Sequence, residues 1–280
     1  GITYDSKTVT AKVTVTDDGH GKLTAVVDYS SDGTANSTTF TNTYSPAKVK
    51  APVSATKSFI NKNTNTPIPL KGGEFVFSLL NHEGDPVEKT TNDADGNIKF
   101  KDLEFEKAGT YQYTIYEHKA GQIENGITYS NKTVEVTIEV TDDGHGALKA
   151  TVSYDNDERH FENTYKAANA KANLEVTKKL TGRELKADEF EFTLTDQDGN
   201  VKETVKNDKD GNVKFSELEF DKAGTYAYKI AEKAGTATGI QYDTKTITAT
   251  VTVADNGKGV LEATVAYDGE KVFENTYTPA

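Results

Sequence analysis

Three stretches of this chain end alike, and that repetition constrains the fold more than any other feature. FENTY occurs at 161–165 and again at 273–277, with FTNTY at 40–44. Alternate residues of a β-strand share a face. A face that carries Phe161 and Tyr165 into a core therefore carries Asn163 with them, and the same spacing takes in Asn275 between Phe273 and Tyr277, and Asn42 between Phe40 and Tyr44. A buried amide is costly unless it is hydrogen-bonded, so each copy needs polar partners inside.

Two further repeated elements offer them. VSATKSF at 53–59 puts Lys57 in register with Val53, Ala55 and Phe59, and LEVTKKL at 174–180 puts Lys178 in register with Leu174, Val176 and Leu180. Lys179 then falls on the opposite, outward face. YQYTIYE at 111–117 aligns Glu117 with Tyr111, Tyr113 and Ile115, and YAYKIAE at 226–232 aligns Glu232 with Tyr226, Tyr228 and Ile230. Isolated buried lysines and glutamates are rare unless paired, so one ammonium, one carboxylate and one amide are expected to meet in each complete copy.

The order lysine, glutamate, asparagine occurs once in residues 47–168 and once in 169–280, so each is read as a complete domain. Residues 1–46 match only the second half of a repeat, because GITYDSKT at 1–8 aligns with GITYSNKT at 126–133 and GIQYDTKT at 239–246. The chain is expected to begin inside a domain, with Asn42 left without a lysine or glutamate of its own and with Val13, Val15, Phe40 and Tyr44 on an open apolar face. It reads as a piece of a larger secreted protein.

Segments such as TVEVTIEVTDDGHGALKATVSY are two Val/Thr-rich strands around a Gly-rich connection, a hairpin signal, and no helical periodicity of useful length intervenes. The fold class is all-β, in tandem sandwich domains. PAKVKAP at 46–52 and KAANAKAN at 166–173 read as short linkers, which suggests a rod. DADGN at 93–97 and DKDGN at 208–212 lack the full spacing and terminal glutamate of a calcium loop and read as turns. TDDGHG at 16–21 and 141–146 also reads as a turn, and nothing in the spacing of His20 or His145 supports a metal site. Neither metal nor cofactor is called for.

A net charge of −12 argues against nucleic acid or an anionic membrane surface as partner. The chain has no cysteine, so a secreted protein of this sequence must find its stability elsewhere than in disulfides. No apolar run is long enough to cross a bilayer, and no signal peptide is recognisable.

The lysine in the first strand, the glutamate in a middle strand and the asparagine in the last, together with GGEFVFSL at 72–79 and the FENTY endings, resemble the pilin isopeptide-linkage domains of Gram-positive surface proteins. These are related to T-antigen backbone pilins and collagen-adhesin B-type repeats. The ETxAP continuation familiar from part of that group is absent after both glutamates, which suits the T-antigen-like branch. The resemblance implies an inverse immunoglobulin-like sandwich in which lysine Nζ and the asparagine side-chain carbonyl join spontaneously, assisted by the glutamate. Carried over by position, the crosslinks would be Lys57 to Asn163 and Lys178 to Asn275, with Glu117 and Glu232 in the catalytic role.

The chemistry fits those residue types. Burial keeps an amine neutral and a carboxyl protonated, folding supplies proximity, and the acid is expected to donate to the amide carbonyl and pass a proton to departing ammonia. A plain Lys–Glu ion pair with a bystander asparagine is the competing reading. The covalent product is preferred because it removes a buried ion pair. The implied function is a structural stalk of a cell-surface pilus or adhesin, partnered by neighbouring domains or subunits of a fibre, extracellular and held to the cell wall through regions outside this chain. The alternative is an adhesin module that binds a host protein or glycan. Neither is an enzyme with turnover.

Overall fold

The computed structural model describes residues 1–31, 34–35 and 38–279. Among them secondary structure is almost entirely strand, with a single 3-10 turn at Asp155–Asp157. Among the described residues no helix is long and apolar enough to cross a membrane.

The first complete repeat is a sandwich of two sheets. One runs in the order Pro86–Thr91, Val76–Asn81, Gly109–Glu117, Thr133–Asp142, Leu148–Tyr154, antiparallel throughout. Period-2 alternation builds it: Val134, Val136, Ile138 and Val140 are buried, while Glu135 and Glu139 between them are exposed. The other sheet centres on two neighbours, the lysine strand Ser54–Asn61 and the asparagine strand His160–Tyr165, which run parallel. The inner faces close on each other through aromatic contacts, such as Phe77 and Phe161 with ring centroids 5.1 Å apart.

The second complete repeat reproduces this plan. Its five-stranded sheet holds the glutamate strand Gly224–Glu232 between Glu191–Asp196 and Thr246–Asp255. Its lysine strand Glu175–Thr181 and asparagine strand Val272–Tyr277 are again parallel neighbours. Both repeats carry a register shift at the same place, between Leu79 and Leu80 and between Leu194 and Thr195.

The stretches expected to be unpatterned linkers are partly strands. Val49–Ala51 pairs with Leu103–Phe105, and Ala170–Ala172 with Leu218–Phe220. Alanine is a weak strand former, but Ala51, Ala170 and Ala172 are buried, and their small side chains let the connecting chain lie against the next sandwich. Tertiary contact overrides the local propensity.

The N-terminal repeat keeps the pairing of its relatives without their core. Ile2–Thr3 pairs with Thr43–Tyr44 in the register seen for Ile127–Thr128 with Thr164–Tyr165 and for Ile240–Gln241 with Thr276–Tyr277. Among the described residues no lysine strand or glutamate strand covers it. Val13, Val15 and Phe40 are accordingly 58%, 55% and 58% exposed, the open apolar face expected from the sequence.

Candidate functional site

Each complete repeat brings a buried lysine, a glutamate with a buried side chain and a buried asparagine together between its sheets. Because the lysine and asparagine strands are parallel neighbours with Phe59 opposite Asn163 and Lys57 opposite Phe161, Lys57 and Asn163 lie two residues apart in register and share a face. In the second repeat Leu180 is opposite Asn275 and Lys178 opposite Phe273. The glutamate comes from the facing sheet, where it ends the strand that begins at Gly109 or Gly224.

The contacts are nearly the same twice over. Lys57 Nζ donates to Glu117 Oε2 at 3.1 Å, and Asn163 Nδ2 donates to Glu117 Oε1 at 2.6 Å. Lys178 Nζ donates to Glu232 Oε2 at 2.7 Å, and Asn275 Nδ2 to Glu232 Oε1 at 2.6 Å. The lysine and glutamate side chains have no exposed surface in either repeat. Lys179 is exposed, as alternation from Lys178 requires.

A wall of aromatic rings closes over each ammonium. Lys57 Nζ lies 4.7 Å from the centre of the Phe75 ring, and Lys178 Nζ 4.5 Å from that of Phe190. Tyr129 and Tyr242 pack edge-on against those two phenylalanines. Removal from water dominates the ionisation in this setting. It lowers the Lys57 amine to about 8 against the pull of Glu117, raises the Glu117 carboxyl and lowers the Lys178 amine.

The amide is oriented differently from the sequence-based expectation. Its carbonyl does not receive a hydrogen bond from the glutamic acid. Asn163 Oδ1 accepts the backbone N–H of Ser130 at 2.7 Å, and Asn275 Oδ1 that of Asp243 at 2.7 Å, while the glutamate takes the amide NH2. The reason is geometric: the residue after GITY or GIQY aims its N–H at the carbonyl, leaving the glutamate to bridge the two nitrogens. The same donor exists in the N-terminal repeat, where Asp5 N–H reaches Asn42 Oδ1 at 2.9 Å. Asn42 itself is exposed.

A second contribution missed from the sequence comes from the DADGN and DKDGN turns. Asp93 and Asp208 accept backbone N–H groups of their own turns, and the turns hold the lysine backbone. Lys57 N–H donates to Gly96 C=O and Lys178 N–H to Gly211 C=O, both at 2.7 Å. Gly96 and Gly211 have φ of +81° and +85°, and a Cβ there would come within 2.3 Å and 2.2 Å of the lysine carbonyl oxygen. Glycine is required by both the conformation and the approach. Among the described residues no cluster of acidic or histidine side chains is arranged to hold a metal ion.

A family model described as "Spy0128-like isopeptide containing domain" matches residues 1–45, 53–166 and 174–278, nearly the whole chain. The chain belongs to this family. No curated protein matches it significantly. Among solved structures, a major pilin of Streptococcus pyogenes aligns at 16% identity over 81% of this chain and 98% of its own, with TM-score 0.35. The T-13 major pilin of the same species aligns at 19% identity over 83% and 100%, with TM-score 0.32. The pilus adhesin SpaC of Lactobacillus rhamnosus GG aligns at 13% identity over 91% of this chain and 37% of its own, with TM-score 0.25.

Proposed function

We propose that residues 47–168 and 169–280 each close their own Lys–Asn isopeptide bond, Lys57 to Asn163 and Lys178 to Asn275, and that the chain is a self-crosslinked shaft segment of a pilus or related fibre on a bacterial surface. The observation that carries this reading is the twice-built triad, in which one buried carboxylate touches both nitrogens that must exchange protons. Residues 1–46 are the matching half of a further repeat.

The steps balance with these groups alone. Lys57 passes a proton to Glu117 Oε2, and the neutral amine attacks Asn163 Cγ. Charge developing on Oδ1 is held by the Ser130 N–H. The Glu117 carboxyl then protonates Nδ2, which leaves as ammonia, and regains a proton from Nζ as the new amide forms. Glu117 ends as a neutral acid beside a neutral amide, so no ion pair remains buried. In the second repeat Asp243 N–H, Glu232, Lys178 and Asn275 take the corresponding parts. Each domain acts once, on itself, and nothing turns over. No observation favours a host-ligand module instead.

Intact-mass measurement tests the reading. The chain is expected to be lighter than its sequence by two molecules of ammonia and not three, because Asn42 stays an amide. Tryptic mapping should find two branched peptides, joining the Lys57 and Asn163 segments and the Lys178 and Asn275 segments. An unshifted mass leaves two buried ion pairs and no crosslink.

The rate should also carry a pH signature. Moving a proton from Lys57 to Glu117 leaves the pair's proton count unchanged, so formation of the first bond is expected to be flat with pH through neutrality. Above about 8, where the Lys57 site loses its proton, Glu117 is left as carboxylate, the acid for ammonia departure is missing, and the rate should fall. Refolding an unfolded, uncrosslinked preparation at a series of pH values and following the mass checks this. A rate that climbs steadily through that pH would show that the amine alone limits the reaction.

A further inference from the structure

Outside the triads, the buried polar residues among those described are Ser78, Asn92 and Asn207. The two asparagines occupy the same place in their repeats, one residue before the DADGN and DKDGN turns, and the crosslinking steps make no use of them. A buried amide is costly unless it is hydrogen-bonded. The partners of these two amides are the supports of the reacting lysines.

One side of each amide holds a phenylalanine. Asn92 Oδ1 accepts the Phe75 N–H at 2.9 Å, and Asn207 Oδ1 the Phe190 N–H at 2.8 Å. Backbone bonds double the tie, from Asn92 N–H to Phe75 C=O and from Asn207 N–H to Phe190 C=O, both at 3.3 Å. These are the phenylalanines whose rings stand 4.7 Å from Lys57 Nζ and 4.5 Å from Lys178 Nζ.

The other side of the amide holds the turn. Asn92 Nδ2 donates to Asp93 C=O at 3.0 Å, and Asn207 Nδ2 to Asp208 C=O at 2.9 Å and to Lys186 C=O at 2.8 Å. The same aspartate carbonyls accept Gly96 N–H at 3.1 Å and Gly211 N–H at 3.2 Å, and the carbonyls of those glycines receive the backbone N–H of Lys57 and Lys178. Each lysine is therefore gripped at both ends by one circuit. It runs from the lysine N–H through the glycine to the aspartate carbonyl, crosses the asparagine amide to the phenylalanine backbone, and returns through the ring to the ammonium.

A phenyl ring has no polar atom to fix its own place, and the place it takes governs how much water reaches Nζ. A dry site is what favours neutral amine and neutral acid over the ion pair. We propose that Asn92 and Asn207 are positioning residues for the crosslinking reaction, each locking an aromatic ring over the lysine amine and tying that ring to the turn that holds the lysine backbone. The inference rests on the proposed Lys–Asn bonds and adds to them two residues that touch neither reacting atom.

Asn92→Ala tests this in the full chain, by refolding uncrosslinked protein over a range of pH, following ammonia loss by mass and telling the bonds apart by peptide mapping. The Lys57–Asn163 bond should form more slowly by roughly 10- to 100-fold, the scale on which small misplacements of reacting groups act. The Lys178–Asn275 bond should keep its rate, and Asn207→Ala should do the reverse. With water admitted, the Lys57 amine returns toward its ordinary value, so the fall in rate expected above about 8 should move to higher pH. An asparagine that only stabilised the fold would lower the melting point and leave that edge in place. Phe75→Leu keeps Asn92 and the turn and should move the edge in the same direction; it decides the matter where Asn92→Ala does not fold. A normal rate in Asn92→Ala, or an unmoved edge in either variant, would overturn the proposal. No ammonia loss from the unaltered chain would overturn the crosslink itself and this inference with it.

Discussion

Glu117→Ala should retain one of the two ammonias that the unaltered chain is proposed to lose, and Glu232→Ala should retain the other, with both variants still folded. The glutamate is no part of the product bond, yet it is the group within hydrogen-bond reach of both reacting nitrogens. Without it the amine has no proton acceptor and the leaving nitrogen no donor. The affected repeat then loses the restriction of its unfolded chain, about 4.7 kcal/mol for a loop of about 100 residues on the entropy model used for disulfides. Each kcal/mol moves the melting point of a domain near this size by about 4 °C or more, so the variant repeat should melt roughly 20 °C lower. The unpaired Lys57 or Lys178 left behind adds to that loss. Calorimetry should resolve one lowered and one unmoved transition, and trypsin should cut the altered repeat first. Loss of both ammonias at the normal rate would remove the glutamates from the chemistry.

The three triad positions could be read from the sequence because strand alternation is a local signal that the repeat prints twice. Lys57 follows Val53 and Ala55 at even spacing, and Glu117 follows Tyr111, Tyr113 and Ile115. Once the inner face is set, the polar residue on it is conspicuous. The groups that aim the amide were not visible in this way. Ser130 and Asp243 act through backbone N–H, so side-chain identity says nothing of their role, and the only available signal was that Asp5, Ser130 and Asp243 all follow the repeated GI[TQ]Y element.

Gly96 and Gly211 were legible as turn residues, but their hold on the lysine strand depends on how a distant hairpin folds back. The junction tyrosines were legible as core residues only. Tyr165 is indeed buried, and its hydroxyl also crosses to Asp255 of the next repeat, a pairing between residues 90 apart. Alanine-rich connections misled for the related reason that their strand character is imposed by what they lie against.

Under tension, repeats crosslinked as proposed should show no unfolding step, whereas Asn163→Ala should release one repeat of the pair. Load reaches the first complete repeat through the start of its lysine strand and leaves through the end of its asparagine strand. These strands are parallel neighbours, so opposite pulls on their outer ends shear them past each other, with the hydrogen bonds between them loaded together. A bond from Lys57 to Asn163 would join the strands within that loaded stretch. Force would then run along residues 54–57, through the side-chain amide and out along 163–165, and residues 58–162 would carry none of it. Asn163→Ala leaves the Lys57–Glu117 pair in place and removes only the carbonyl that is attacked, so its effect on the native core is small beside its effect on the load path. Single-molecule stretching should then record an added length of roughly 350 Å from the freed residues, at about 3.3–3.6 Å for each, while the second repeat stays closed behind Lys178 and Asn275. A step of that length in the unaltered chain would show that the load path is not covalent.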